Sequence, residues 1–145
     1  MIGTTKRMMI MKTIGKNMKN NKIESATIKD IYEMQAQNQM IMLSRGMYGK
    51  ERLNILPIDD VQLCSYHIQQ LMSEVGEVLD ADKRWKNFRN EKYDKEAKAE
   101  EIADCFIVLL NIAMFSGIDS KQLDDMVCNK IKKVKERIEK DSERA

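Results

Sequence analysis

Between Ile102 and Phe115 the chain is apolar at every position except Asp104 and Asn111. A helix that is apolar on nearly all sides has to be covered on all sides. The run falls short of the ~18–20 residues that a membrane span requires, so no membrane partner is expected. A chain of 145 residues builds one domain with a real core. It has few further helices to do the covering. The pattern therefore predicts an all-α bundle of four to five helices, completed by a second copy as a homodimer or homotetramer.

The rest of the chain agrees with long helices. There is a single proline, Pro57, and only 6 glycines, where a strand-and-turn fold would need more punctuation. Residues 1–24 are basic and Met-rich, and their patch Met8-Met9-Ile10-Met11 is too short for the ~7–15-residue apolar region of a signal peptide. They are expected to be a flexible tail, with a domain over 25–140 and a short tail at 141–145. Thr27 is a candidate cap for a first helix, with Asp30 at N3. Ile28, Ile31, Met34, Ala36 and Met42 would form its apolar stripe as far as about Leu43, and Gly46 would end it. Residues 46–58 read as a connector.

Asp59 reads as the next cap, with Gln62 at N3. Cys64, Ile68, Leu71, Met72, Val75, Val78 and Leu79 then recur at helical steps and predict an amphipathic helix. Ala81 to Lys98 is polar, as a loop or a partly helical stretch. A third helix runs from about Lys95 to Phe115 and stops at Gly117. Asp119 caps a fourth, with Gln122 at N3. One side of that helix carries Leu123, Met126, Val127, Ile131, Val134 and Ile138, and the other is basic. Cys64, Cys105 and Cys128 are odd in number and lack a Cys-x-x-Cys pairing, which reads as reduced, buried thiols in a cytoplasmic protein.

Two acidic pairs stand out: Glu74 with Glu77, and Glu101 with Asp104. Residues three apart on a helix lie on one face, about 5–6 Å apart at Cβ. Such pairs are frequent on charged helices and usually mean contact with solvent. Here they flank apolar stripes, and antiparallel packing would bring four carboxylates together. A cationic stretch, Lys83-Arg84-Trp85-Lys86-Asn87-Phe88-Arg89, lies between the pairs. Hard oxygens suit Mg²⁺, with Mn²⁺ as an alternative, and the basic stretch suits a polyphosphate. A di-iron bundle would want Glu-x-x-His on two helices, and His67 is the one histidine, best read as structural. The residues thus suggest a Mg²⁺-dependent nucleotide hydrolase.

The order Glu-x-x-Glu, a gap over residues 78–100, then Glu-x-x-Asp resembles the MazG-like and all-α dUTPase superfamily of nucleoside triphosphate pyrophosphohydrolases. Trp85-Lys86-Asn87-Phe88-Arg89 is similar to the WKxWK motif of the dimeric dUTPase branch, with Phe88 and Arg89 replacing its second Trp and Lys. Glu101-Ile102-Ala103-Asp104-Cys105-Phe106 resembles the EhxD motif of both branches. Glu33-Met34-Gln35 resembles the first-helix ELQ segment, and Asn129, Lys133 and Arg137 resemble the polar and basic face of the family's last helix. The resemblance covers residues 27–138 or thereabouts.

It implies the helical fold of all-α NTP pyrophosphatases and a nucleoside triphosphate substrate. Glu74, Glu77, Glu101 and Asp104 would hold Mg²⁺, and one of them would take a proton from the attacking water. Lys83, Lys86, Arg89, Lys133 and Arg137 would screen the phosphates. Trp85 would stack on the base or fill the underside of the loop. Gln35 would read a pyrimidine edge, dUTP first, or would simply be a surface amide. The motifs also suit a MazG-like enzyme of broad specificity or one acting on dCTP. Outside enzymes, the basic tail and last helix allow a nucleic-acid-binding module. That reading lacks a helix-turn-helix spacing and leaves the acids unexplained, as does a bundle that only binds a partner. Nucleic acid is therefore not an expected partner.

Overall fold

The computed structural model describes residues 26–52, 55–86 and 92–144. The expected tail at 1–24, and Asn87, Phe88 and Arg89 of the basic stretch, lie outside the described residues. Within them the protein is an all-α bundle of four helices: α1 (Ile28–Ser44), α2 (Val61–Ala81), α3 (Lys95–Met114) and α4 (Ser120–Arg144). A short 3-10 turn, Lys83–Trp85, follows α2. No helix among these is long and apolar enough to cross a membrane.

The helix ends follow from local chemistry. Thr27 caps α1, and the Asp30 side chain returns a bond to the Thr27 backbone, closing a capping box. α1 and α3 both end with paired backbone bonds around a left-handed glycine. Met47 N–H reaches Met42 O and Gly46 N–H reaches Leu43 O, with Gly46 at φ 68°. Ile118 N–H reaches Ala113 O and Gly117 N–H reaches Met114 O, with Gly117 at φ 73°. Only glycine adopts that conformation without strain. Asp119 accepts from Gln122 N–H at 2.8 Å at the start of α4. The cap of α2 is Asp60, which accepts from Leu63 N–H at 3.0 Å. The expected cap, Asp59, instead forms an isolated antiparallel bridge with Ser116.

α2 and α3 pack most extensively against each other, and α1 packs on both α3 and α4. Three contacts show that α2 and α3 run antiparallel. His67 stacks on Phe115 at one end, Glu74 meets Glu101 midway, and Asp82 pairs with Lys98 at the other end. The core has two connected parts: Tyr32, Leu110, Ala113 and Met114, then Leu43, Leu63 and Phe115.

Several faces differ from those expected. The buried face of α1 is Tyr32, Gln35, Gln39 and Leu43, while Met34 is exposed. Two amides outcompete methionines there because each finds a partner, Gln35 in Asn111 of α3 and Gln39 in Tyr48 of the connector. On α2 the buried residues are Leu63 and His67, whereas Ile68, Met72, Val75 and Leu79 lie exposed in the single chain. Ile102, Phe106 and Leu109 on α3, and Met126, Ile131 and Ile138 on α4, are also exposed. The cysteines are free, but Cys64 and Cys105 are only half-buried and Cys128 is exposed, which corrects the expectation of buried thiols.

Phe115 is fully buried and touches His67 face to face and Tyr48 edge to face. Phe115→Ala should destabilise the fold by about 3–5 kcal/mol, read as a lower urea midpoint with an unchanged slope.

Candidate functional site

α2 presents Glu74 and Glu77, and α3 presents Glu101, to one point. One carboxylate oxygen of each lies within 4.8 Å of the other two. Glu74 and Glu101 are half-buried and Glu77 is exposed. Asp104, an exposed residue one turn further along α3, stands beside this triad and lines a cavity together with Glu74. The sequence-predicted convergence thus brings three acids together and the fourth next to them.

Crowding shows in their acid–base behaviour. The Glu74 pKa is raised, first by a hydrogen bond with Glu77, then by burial and by the Glu77 charge, with Asp104 adding to it. The Gln70 amide works in the opposite direction. Burial, then Glu74, Asp104 and Glu101, pushes up the Cys105 thiol. Among the described residues, none of the four acids is ion-paired with a lysine or arginine. Nearby cations are committed to Asp82, which takes Arg84 Nε and Nη2, each at 2.7 Å, and Lys98 Nζ at 3.0 Å. These bonds, the Arg84 side chain foremost, hold the Asp82 carboxyl well below the usual carboxylate range.

The donor set is all hard oxygen, the chemistry of Mg²⁺ or Mn²⁺. Glu74, Glu77 and Glu101 are the residues that would hold such an ion, and it would supply positive charge to the crowded carboxylates. The Glu-x-x-His pattern of a di-iron centre is not met, because His67 lies elsewhere on α2.

The cavity is about 240 Å³ and reaches from Glu74 and Asp104 into the bundle between α1, α2 and α3. Its wall sets the polar groups of Gln35, Gln39, Tyr48, His67, Gln70 and Asn111 among Met42, Tyr66, Ile107 and Val108. Gln35 is buried, against the surface-amide reading. Its Nε2 donates to Asn111 Oδ1 at 3.0 Å, and its Oε1 accepts from Asn38 at 3.0 Å. His67 is buried and stacked on Phe115, as a structural histidine would be, yet it also faces the cavity. Burial lowers its pKa, with the Gln70 bond opposing.

Sequence reasoning passed over Gln39, Tyr48, Gln70 and Asn111 as site residues. The available signals were Asn111 interrupting an apolar run and Gln35 and Gln39 recurring one turn apart. The described part of the basic stretch, Lys83 to Lys86, is less engaged. Lys86 Nζ lies 5.2 Å from the Trp85 ring centre, and Trp85 Nε1 donates to Leu79 O at 3.1 Å, so the indole closes the end of α2. Neither Lys83, Trp85 nor Lys86 lines the cavity. Asn129, Lys133 and Arg137 are exposed on α4 and do not line it either.

The chain matches no protein-family model, no curated protein and no solved structure.

The raised Glu74 pKa has a stability consequence. An acid whose pKa rises on folding contributes its stability below the unfolded value, here about 4.5, and loses it as pH climbs through the folded value. Glu77→Gln removes the neighbouring charge. In EDTA the variant should melt above the wild type near pH 7.5, and the gap should close below about pH 4.5. An offset constant across that range contradicts the assigned cause.

Proposed function

We propose that the protein is a Mg²⁺-dependent nucleoside triphosphate pyrophosphohydrolase, with Mn²⁺ as a possible substitute and dUTP as the favoured substrate. The products are a nucleoside monophosphate and pyrophosphate. The observation that carries this reading is Glu74, which belongs both to the carboxylate triad and to the wall of the polar cavity. A phosphate chain at the acids and a base in the cavity would then be parts of one ligand. The motif order Glu-x-x-Glu, basic stretch, Glu-x-x-Asp supports the same reading.

Glu74, Glu77, Glu101 and Asp104 are the residues that would hold Mg²⁺. When bound, the ion supplies neutralisation of the triphosphate and acidification of water. One of the carboxylates accepts the proton of the attacking water, and Lys83 and Lys86 carry positive charge toward the leaving pyrophosphate. The cavity amides, Gln35 and Asn111 foremost, both donate and accept, as the edge of uracil requires. A site that hydrogen-bonds its base rejects poor analogues by several powers of ten.

The proposal includes a second copy of the chain. Its support is the pair of exposed apolar stripes, Ile68, Met72, Val75 and Leu79 on α2 and Ile102, Phe106 and Leu109 on α3. Burying such surface is worth about 25 cal/mol per Å². A cytoplasmic setting fits three free cysteines.

A screen of deoxynucleoside and nucleoside triphosphates with Mg²⁺, reading pyrophosphate and monophosphate, tests the activity. EDTA should abolish turnover, and Glu74→Ala or Asp104→Ala should lower it by about 10²–10³-fold or more while the helical signal persists. Full turnover after exhaustive chelation would overturn the metal reading. Preference for dUTP, with Gln35→Ala losing selectivity more than rate, is the expected outcome. Comparable rates on purines and pyrimidines point to a broad MazG-like enzyme, and preference for dCTP changes the base but keeps the chemistry. Light scattering should report a dimer or tetramer at micromolar concentration, and Leu109→Glu should disrupt it. A monodisperse monomer contradicts the second copy.

A further inference from the structure

A line of side chains runs from the inner wall of the cavity to the carboxylate triad. Gln39 is buried on α1, and its Oε1 accepts from the Tyr48 hydroxyl. Tyr48 Oη lies 3.2 Å from His67 Nε2. His67 Nδ1 lies 3.1 Å from Gln70 Oε1, and Gln70 Nε2 donates to Glu74 Oε1 at 3.5 Å. His67, Gln70 and Glu74 follow one another at helical steps along α2, so the helix itself sets their order.

A proton inventory gives the line a direction. An ionised carboxylate only accepts, so Gln70 turns its amide hydrogens to Glu74 and its carbonyl to His67. The hydrogen of a neutral His67 therefore sits on Nδ1. Its Nε2 lone pair faces Tyr48, whose one hydroxyl hydrogen serves either His67 or Gln39 at a time. The imidazole has little freedom. It is 2% exposed, lies parallel to Phe115 at 5.3 Å, and meets Tyr48 and Tyr66 edge to face. A locked ring thus aims a half-exposed glutamine whose side chain, among the described residues, bonds to His67 on one side and Glu74 on the other.

The geometry points to His67 and Gln70 as positioning residues: through Gln70 the buried imidazole orients Glu74 toward a divalent cation, and through Tyr48 it ties that carboxylate to whatever occupies the cavity. The inference rests on the divalent-cation reading of the triad given above. Partners that orient a ligating group typically contribute about 10–100-fold to metal affinity. Coupling of this kind is reciprocal, so a molecule that engages Tyr48 or Gln39 changes cation affinity by the factor that the cation changes its own.

His67 is the only histidine of the chain, so imidazole ¹⁵N resonances report it directly. The test uses the full chain with ¹⁵N-labelled histidine, titrated with Mg²⁺ in the absence of nucleotide, alongside calorimetry. The wild type should show the neutral Nδ1–H tautomer near neutral pH, and its ring signals should move as Mg²⁺ saturates. In Gln70→Ala, alanine suits the helix and the fold should persist by circular dichroism. Mg²⁺ affinity should fall about 10–100-fold, and the ring should stay silent even at saturation. A wild-type ring that ignores bound Mg²⁺, an Nε2–H tautomer, or a Gln70→Ala protein with unchanged affinity each overturns the relay and leaves the metal site standing. Absence of Mg²⁺ binding to the wild type by calorimetry overturns the metal reading itself, and the relay with it.

Discussion

The antiparallel register of α2 on α3 is the constraint on which the site depends. Glu74, Glu77 and Glu101 meet because His67 is held against Phe115 at one end of the pair and Asp82 is held to Lys98 at the other. A slip of a single helical turn moves one helix about 5.4 Å past the other. That shift exceeds the 4.8 Å within which the three oxygens now lie. Gly117 and the bridge between Asp59 and Ser116 reinforce the register, since they tie the start of α2 to the end of α3. Caps and glycines that look purely structural therefore set the geometry of the acids.

Holding like charges together opposes folding, and the structure localises that cost. Glu74 is the acid whose pKa rises, while nearby Asp82 is held low by Arg84 and Lys98. Two carboxylates roughly two helical turns apart, Glu74 within α2 and Asp82 just past its end, thus meet opposite surroundings. Asp82 has two cations and acts as a clasp; among the described residues Glu74 pairs with none, and it looks into a cavity. Among the described residues, the sorting of cations to the clasp thus leaves the triad without a paired lysine or arginine. Local conflict of this type, surrounded by otherwise consistent packing, is the usual signature of a site kept for function.

Helix ends were the most legible part of the sequence, because capping is local chemistry. Thr27 with Asp30, Gly46, Gly117 and Asp119 with Gln122 all stand where the residues alone put them. The acidic pairs were legible through spacing. Asp59 and Asp60 compete for one cap, and the deciding fact, the bridge to Ser116, is a tertiary contact far along the chain. The cavity wall was hidden for the same reason. Gln35 and Gln39 look like surface amides until Asn111 and Tyr48 supply partners. The residues alone leave Trp85 between stacking on a base and filling the loop, and its indole N–H bonds to Leu79 O near the end of α2.

α2 shows why period alone could not reveal the site. Leu63, His67, Gln70 and Glu74 form one line, and Ile68, Met72, Val75 and Leu79 form a second, about 140° away around the same helix at ~100° per residue. Hydrophobicity marks the second line, yet within one chain the first is the one that enters the bundle, carrying an imidazole, an amide and a carboxylate. The apolar line is left facing outward. In the proposed assembly the two lines divide the work, one building the site and the other meeting a second copy. Their separation has a physical benefit for such an arrangement. A surface that docks through Met72 and Leu79 would lie well round α2 from Glu74 and Glu77, so it would insert no apolar atoms among the carboxylates, and the acids would keep an open approach from the cavity side.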